Sequence, residues 1–203
     1  MTHSLLPRLL DYCQQLDYNS LDPQRQIILD PLIDFIRHHF GQSNKVTLNF
    51  ICTHNSRRSQ FAQIWAQTAS AYFAVPVVCH SGGVEVTEFN DRAVNAIKQA
   101  GFVTAKQGNE NPHYQVRFDE NSEPVEMYSK LFDSVQPSAR KYAAVMTCDH
   151  ADQNCPIIPS ALARIPVLYE DPKRFDGTSR ESEAYAERCK QIASEMFYVF
   201  SKI

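Results

Sequence analysis

The chain has no long apolar run. Leu5-Leu6 is interrupted at once by Pro7 and Arg8, and nothing approaches the ~20 apolar residues that cross a bilayer, so no membrane-spanning role is expected. It has no excess of positive charge either: 20 Lys and Arg against 23 Asp and Glu give a net charge of −3, which leaves no basic face for nucleic acid. The first residues, Met1-Thr2-His3-Ser4, lack the cationic start of a secretory leader. A cytoplasmic address is therefore expected, where the six cysteines should be reduced and disulfides are usually catalytic or transient. There is no internal repeat and no low-complexity tract. At 203 residues, 43% hydrophobic and 21% charged, what remains is an ordinary globular chain with room for one domain and additions to it.

Against that plain background stands Cys52. It opens the run Cys52-Thr53-His54-Asn55-Ser56-Arg57-Arg58-Ser59, between the apolar stretch 46–51 and the helix-like stretch 60–66. Backbone N–H groups at a helix start, with the positive end of the helix dipole, form a cradle for an anion and favour a thiolate over a thiol. A cysteine so placed is a candidate nucleophile. Arg58, six positions on, is the candidate fork that holds two oxygens of a tetrahedral oxyanion and stabilises charge in the transition state. Ser59 can hydrogen-bond the thiolate and Asn55 can brace the loop, which Thr53, His54, Ser56 and Arg57 complete. Cys-x5-Arg alone is a weak signal, and a buried cysteine ending a core strand is the competing reading; the strand before and the helix after favour the site.

Residues 3–40 pattern as two amphipathic helices, the first carrying Leu5, Leu6, Leu9, Leu10 and Cys13, the second Ile27, Ile28, Leu32, Ile33, Phe35 and Ile36. Asp22-Pro23 suits the start of the second. Residues 1–45 are thus expected to form a helical extension that packs on the rest or makes a homodimer. From Val46 strands and helices alternate: strand 46–51, helix 59–73, strand 75–80, helix 91–100, strands 143–147 and 165–168, and helix 182–200. This predicts an α/β domain over 46–203, a four-stranded parallel sheet flanked by helices, with ligands beyond the carboxyl ends of the strands, where Cys52 falls. The stretch 108–136 breaks the rhythm and reads as a hairpin insert around the polar turn Asp119–Pro124, either a flap beside the site or an edge decoration.

Two further features bear on chemistry. Asp171-Pro172 follows the last short strand, where a carboxyl could meet Cys52 as general acid; it could equally start a turn, and Glu170 is the local substitute. Cys148 and Cys155 admit three readings: a redox relay, metal ligands together with His150, or unrelated thiols. Zinc sites need a full set of four ligands, which this segment does not supply, so no metal is expected. Cys13, Cys79 and Cys189 lie on faces expected to be buried.

The loop at Cys52, Ser81-Gly82-Gly83 after the second strand, and Asp171-Pro172 together resemble the low-molecular-weight protein tyrosine phosphatase fold family. Thr147-Cys148-Asp149-His150-Ala151-Asp152-Gln153-Asn154-Cys155-Pro156 makes the chain similar, within that family, to the thioredoxin-coupled arsenate reductases. The resemblance spans about 46–107 and 139–200. It implies Cys52 as nucleophile, Arg58 as anion-binding arginine, Asn55 and Ser59 as loop braces, Asp171 as general acid, and Cys148 then Cys155 as resolving cysteines. It implies an arsenate reductase with no bound cofactor, re-reduced by an external dithiol such as thioredoxin; the alternative is a phosphatase hydrolysing phosphate monoesters through a phosphocysteine. The chain departs from the family at His54 and Arg57, at Gln63 in place of an acidic residue of a cation site, and at Lys173-Arg174, where many of the phosphatases have paired tyrosines.

Overall fold

Strand β1 (Val46–Cys52) is buried at every position, polar Thr47 and Asn49 included, as a central strand is when a sheet is covered on both faces. The computed structural model describes residues 5–40, 46–134, 142–154 and 158–203. Around β1 lie β2 (Val77–Gly83) and β6 (Tyr142–Met146), both parallel to it, with β7 (Ala161–Pro166) beyond β6, giving the order β2-β1-β6-β7. This is the expected four-stranded parallel sheet. The last strand is placed a few residues early relative to its expected range of 165–168, because β7 is an edge strand with mostly exposed positions and its ladder follows β6 rather than hydrophobicity.

Helix α3 (Arg58–Tyr72) returns from β1 and packs against α6 (Glu181–Ser201); α4 (Asp91–Ala100) follows β2. Asn90 caps α4 by accepting from the Arg92 and Ala93 amides, and Gly101, at φ 110°, ends it in a conformation that suits glycine. A Cβ on Gly101 would also meet the Leu9 backbone nitrogen at 2.6 Å, so the glycine lets α1 (Pro7–Gln14) approach α4.

The N-terminal helices are part of the core. Leu9 from α1 and Leu29, Leu32 and Ile36 from α2 (Pro23–Phe40) are fully buried in one cluster with Trp65 and Phe197. Each such side chain contributes roughly 1.5–3 kcal/mol by leaving water. Two residues assigned to the apolar face of α2 belong elsewhere: Ile27 is 62% and Ile28 38% exposed, since the buried stripe runs through 29, 32, 33 and 36. Cys13, Cys79 and Cys189 are buried as expected; burial pushes the Cys13 thiol up to about 12.

The stretch expected as a hairpin contains β4 (His113–Arg117) and β5 (Val125–Met127), antiparallel, with Tyr114 opposite Met127. It is joined by a strand the sequence did not mark, β3 (Val103–Gln107), which lies just before the insert, so the hairpin belongs to a three-stranded antiparallel sheet of order β3-β4-β5.

Candidate active site

Cys52 ends β1 and Arg58 begins α3, so the loop between them is fixed at both ends by regular structure. Cys52 is buried, with its Sγ 3.0 Å from Ser59 Oγ, which in turn accepts from Asn55 Nδ2 at 2.9 Å. Asn55 sits at φ 47°, a left-handed conformation asparagine tolerates, and accepts at Oδ1 from the Lys130 amide. No side chain caps α3, which leaves its first-turn N–H groups to the loop and to an anion within it.

The loop is walled from outside by β2 and by the exit of the insert. A Cβ on Gly83 would meet Asn55 N at 2.7 Å and the His54 carbonyl carbon at 2.9 Å, so glycine is required where β2 passes the loop. The Val84 and Glu85 amides donate to the Thr53 carbonyl at 2.8 and 2.9 Å. From the insert, Ser129 Oγ donates to His54 O at 2.7 Å, and Gln60 Nε2 spans the Asn55 and Tyr128 carbonyls at 2.9 Å each. The segment after β5 is thus a brace for the loop. Gln60 and the Tyr128–Lys130 brace were missed in the sequence; a polar side chain on an otherwise buried helix face was the one available signal for Gln60.

Asp171 lies at the loop. Its Oδ1 accepts from Arg57 Nε at 2.9 Å and its Oδ2 from Arg58 Nη2 at 2.7 Å, while Oδ1 also accepts from the Lys173 amide, capping the turn Pro172–Phe175. The turn-starting and site readings of this residue therefore coexist. Burial pushes the Asp171 carboxyl up, but Arg58, Arg57 and the Lys173 amide outweigh it and hold the group below its ordinary value. Glu170, the local substitute, is 63% exposed and pairs with Arg174. Arg58 Nη1 donates to the Tyr169 carbonyl at 3.1 Å, while its buried Nε has no hydrogen-bond partner. That Nε shares an edge of the guanidinium with the Nη2 held by Asp171, and this edge is the one that meets a carboxylate or phosphate side-on.

Cys148 is buried just past β6, its Sγ 3.4 Å from Thr53 Oγ1, and shares an apolar cluster with Cys52 and Ile51. Thr53 Oγ1 also lies 3.3 Å from His150 Nδ1. Cys155 falls outside the described residues. His54 Nε2 lies 3.3 Å from a Glu85 carboxylate oxygen, and Ser56 is buried with its carbonyl accepting from the Asn90 amide. A cleft of about 230 Å³ opens beside the loop, lined by His54, Ser56, Arg57, Thr87, Asn90 and Lys173 among others. Gln63 is buried and holds Ser81 Oγ at 2.6 Å and the Cys79 carbonyl at 3.2 Å. Among the described residues, no group of three or more His, Cys, Asp or Glu side chains is placed to hold a metal ion.

Fold and loop define a class of protein: an α/β sheet that presents a buried cysteine and a forked arginine on one strand-to-helix loop, with a carboxylate brought to it from a distant loop. No family model matches the chain. An arsenate reductase of Halalkalibacterium halodurans is 28% identical to it over 160 residues, spanning 78% of this chain and 97% of that protein. Arsenate reductase 2 of Staphylococcus epidermidis is 30% identical over 129 residues, spanning 64% of this chain and 80% of the relative. Among solved structures, a low-molecular-weight phosphotyrosine phosphatase of Vibrio cholerae matches with a TM-score of 0.50 and 16% identity, over 77% of this chain and 95% of that one. The chain belongs to the low-molecular-weight protein tyrosine phosphatase fold family, in which these arsenate reductases fall. It is an enzyme of that family, and no helix among the described residues is long and apolar enough to cross a membrane.

Proposed function

We propose that the protein is an arsenate reductase that works through Cys52 and a Cys148–Cys155 thiol relay. The observation that carries the reading is the juxtaposition of a buried Cys52, the unpartnered Arg58 Nε and the Asp171 carboxylate at one loop, with Cys148 beside Thr53. An oxyanion bound at Arg58 takes over the side-on edge of the guanidinium, and Asp171 gives up its hold on Nη2. The incoming negative charge also offsets the two arginines that keep the carboxyl low, so Asp171 gains a proton as substrate binds and can donate it to the departing oxygen. Cys52 thiolate attacks arsenic and water leaves.

In the second step Cys148 thiolate attacks the Cys52 sulfur. The S–As bond breaks with its electron pair on arsenic, releasing arsenite, and a Cys52–Cys148 disulfide remains. Cys155 then attacks Cys148, freeing Cys52, and an external dithiol of the thioredoxin kind reduces the Cys148–Cys155 disulfide. The second reading, favoured by the phosphatase among the structural matches, is hydrolysis of a phosphate monoester. There Cys52 attacks phosphorus, the ester alcohol leaves with a proton from Asp171, and water takes the place of Cys148 in the second step, releasing phosphate. Side-by-side assay of thioredoxin-coupled arsenate reduction and aryl-phosphate hydrolysis separates them: reduction is expected, and hydrolysis alone would retire the relay.

A further inference from the structure

Behind the tyrosine carbonyl that holds Arg58 lies a charge pair, its carboxylate buried and its arginine partly so, with no part in the chemistry just described. Arg25, near the start of α2, donates through Nε and Nη2 to the two oxygens of Glu195 on α6, at 2.9 and 2.6 Å. Glu195 is 1% exposed, and Gln191 also donates to it. The remaining Nη1 of Arg25 donates to the Leu168 carbonyl at 3.3 Å, and the guanidinium lies over the Tyr169 ring, 5.2 Å from its centroid. The Leu168–Tyr169 peptide is therefore gripped from the α2 side by Arg25. From the other side it is gripped by the end of β6, where the Tyr169 amide donates to Thr147 O at 3.2 Å. The next group along is the Tyr169 carbonyl, which accepts from Arg58 Nη1, and two residues on is Asp171.

We infer that Arg25 is a positioning residue for the oxyanion site: paired with Glu195, it fixes the Leu168–Tyr169 peptide and through it the orientation of the Arg58 guanidinium. This inference rests on the reading of Arg58 as the oxyanion fork, and it gives the N-terminal helices a function. They are part of the frame of the site. A planar guanidinium is suited to the task because it engages Glu195 with one edge, reaches the Leu168 carbonyl with its free Nη1 and lies flat on the Tyr169 ring. An ammonium is a point charge and does not do all three. The geometric requirement is strict, since a misplacement of about 1 Å at a catalytic group can cost on the order of 10²-fold.

Phosphate binding measured by calorimetry tests this without relying on turnover. Removing the pair together, Arg25→Met with Glu195→Leu, does not leave Glu195 buried without its partner, and apolar replacement of both members of such a pair is often neutral for stability. The double variant is expected to melt within about 3 °C of wild type, and to bind inorganic phosphate about tenfold more weakly, with kcat on an aryl phosphate lowered by a similar factor. In an Arg58→Ala background the same replacement should change phosphate affinity no further, because the group it positions is gone. A folded double variant that binds phosphate as wild type does overturns the inference. Should the double variant not fold, Arg25→Lys, which keeps the charge opposite Glu195, decides the matter: weaker binding by about tenfold supports the positioning role, wild-type binding refutes it. If Arg58→Ala itself binds phosphate normally, the oxyanion-site reading fails and this inference with it, a result distinct from silent Arg25 variants beside a damaging Arg58→Ala.

Discussion

Replacing Asp171 with asparagine should move catalysis and anion affinity in opposite directions. The carboxylate is 27% exposed and touches both arginines, at 2.9 Å to Arg57 and 2.7 Å to Arg58. Two unit charges about 4 Å apart interact by about 4 kcal/mol at an effective dielectric of about 20, and partial exposure cuts what is realised to about 1 kcal/mol. An incoming oxyanion competes with that interaction for the Arg58 edge. Neutralising Asp171 should therefore tighten phosphate binding by about fivefold. The chemical step should slow by roughly 10²–10⁴, the usual loss on removing a general acid. Stability supplies a third readout. The carboxyl is held below its ordinary value, so its contribution is present above the ordinary carboxylate range and is lost as pH falls through the depressed value. The variant should thus melt lower than wild type at neutral pH, and the gap should close in acid. Calorimetric phosphate titration, single-turnover kinetics and melting at pH 7 and pH 3 check the three arms. Unchanged affinity with an unchanged rate would refute the assignment of Asp171 to the site.

Arg58→Lys should lose nearly as much activity as removal of the arginine, because an ammonium cannot offer the paired Nε and Nη2 edge; retained phosphate affinity in this variant would make Arg58 a structural residue. Gly83→Ala should lower activity with a modest loss of melting temperature, since a Cβ there pushes on the Asn55 and His54 backbone; wild-type kinetics would show that the loop gives way freely. Cys148→Ser should stop arsenate reduction beyond the first adduct and spare any aryl-phosphate hydrolysis, because only reduction needs a second thiol; loss of both activities would give Cys148 a role in the first step.

Much of the site was legible because its parts are local. Val46–Cys52 is a short β-branched and apolar-rich run, and the loop and helix follow it without a gap, so Cys52, Ser59 and Arg58 come together by adjacency. Asp171 was placed at the loop from its position after the last strand, and the structure agrees, although Arg57 proves to hold it as well as Arg58. What could not be read was carried by backbone carbonyls or by partners far apart in sequence. Ser129 and Gln60 hold loop carbonyls, which leave no mark in residue type. Arg25 and Glu195 are 170 positions apart. Strand β3 escaped notice because all its positions are exposed or partly so, and Thr104-Ala105-Lys106-Gln107 shows no apolar alternation. Ile27 and Ile28 were drawn into the apolar face by hydrophobicity, while the buried face of α2 takes Leu29 beside the expected Leu32, Ile33 and Ile36.

The most direct test of the proposed reductase is a trapped disulfide. Cys155→Ser protein, reduced and then exposed to arsenate, should accumulate a Cys52–Cys148 disulfide, found by peptide mass mapping after alkylation, because the thiol that resolves it is missing. Phosphate in place of arsenate should yield none. A disulfide that forms equally with and without arsenate, or no disulfide in protein that still hydrolyses aryl phosphate, would contradict the relay and leave phosphate ester hydrolysis as the activity of the site.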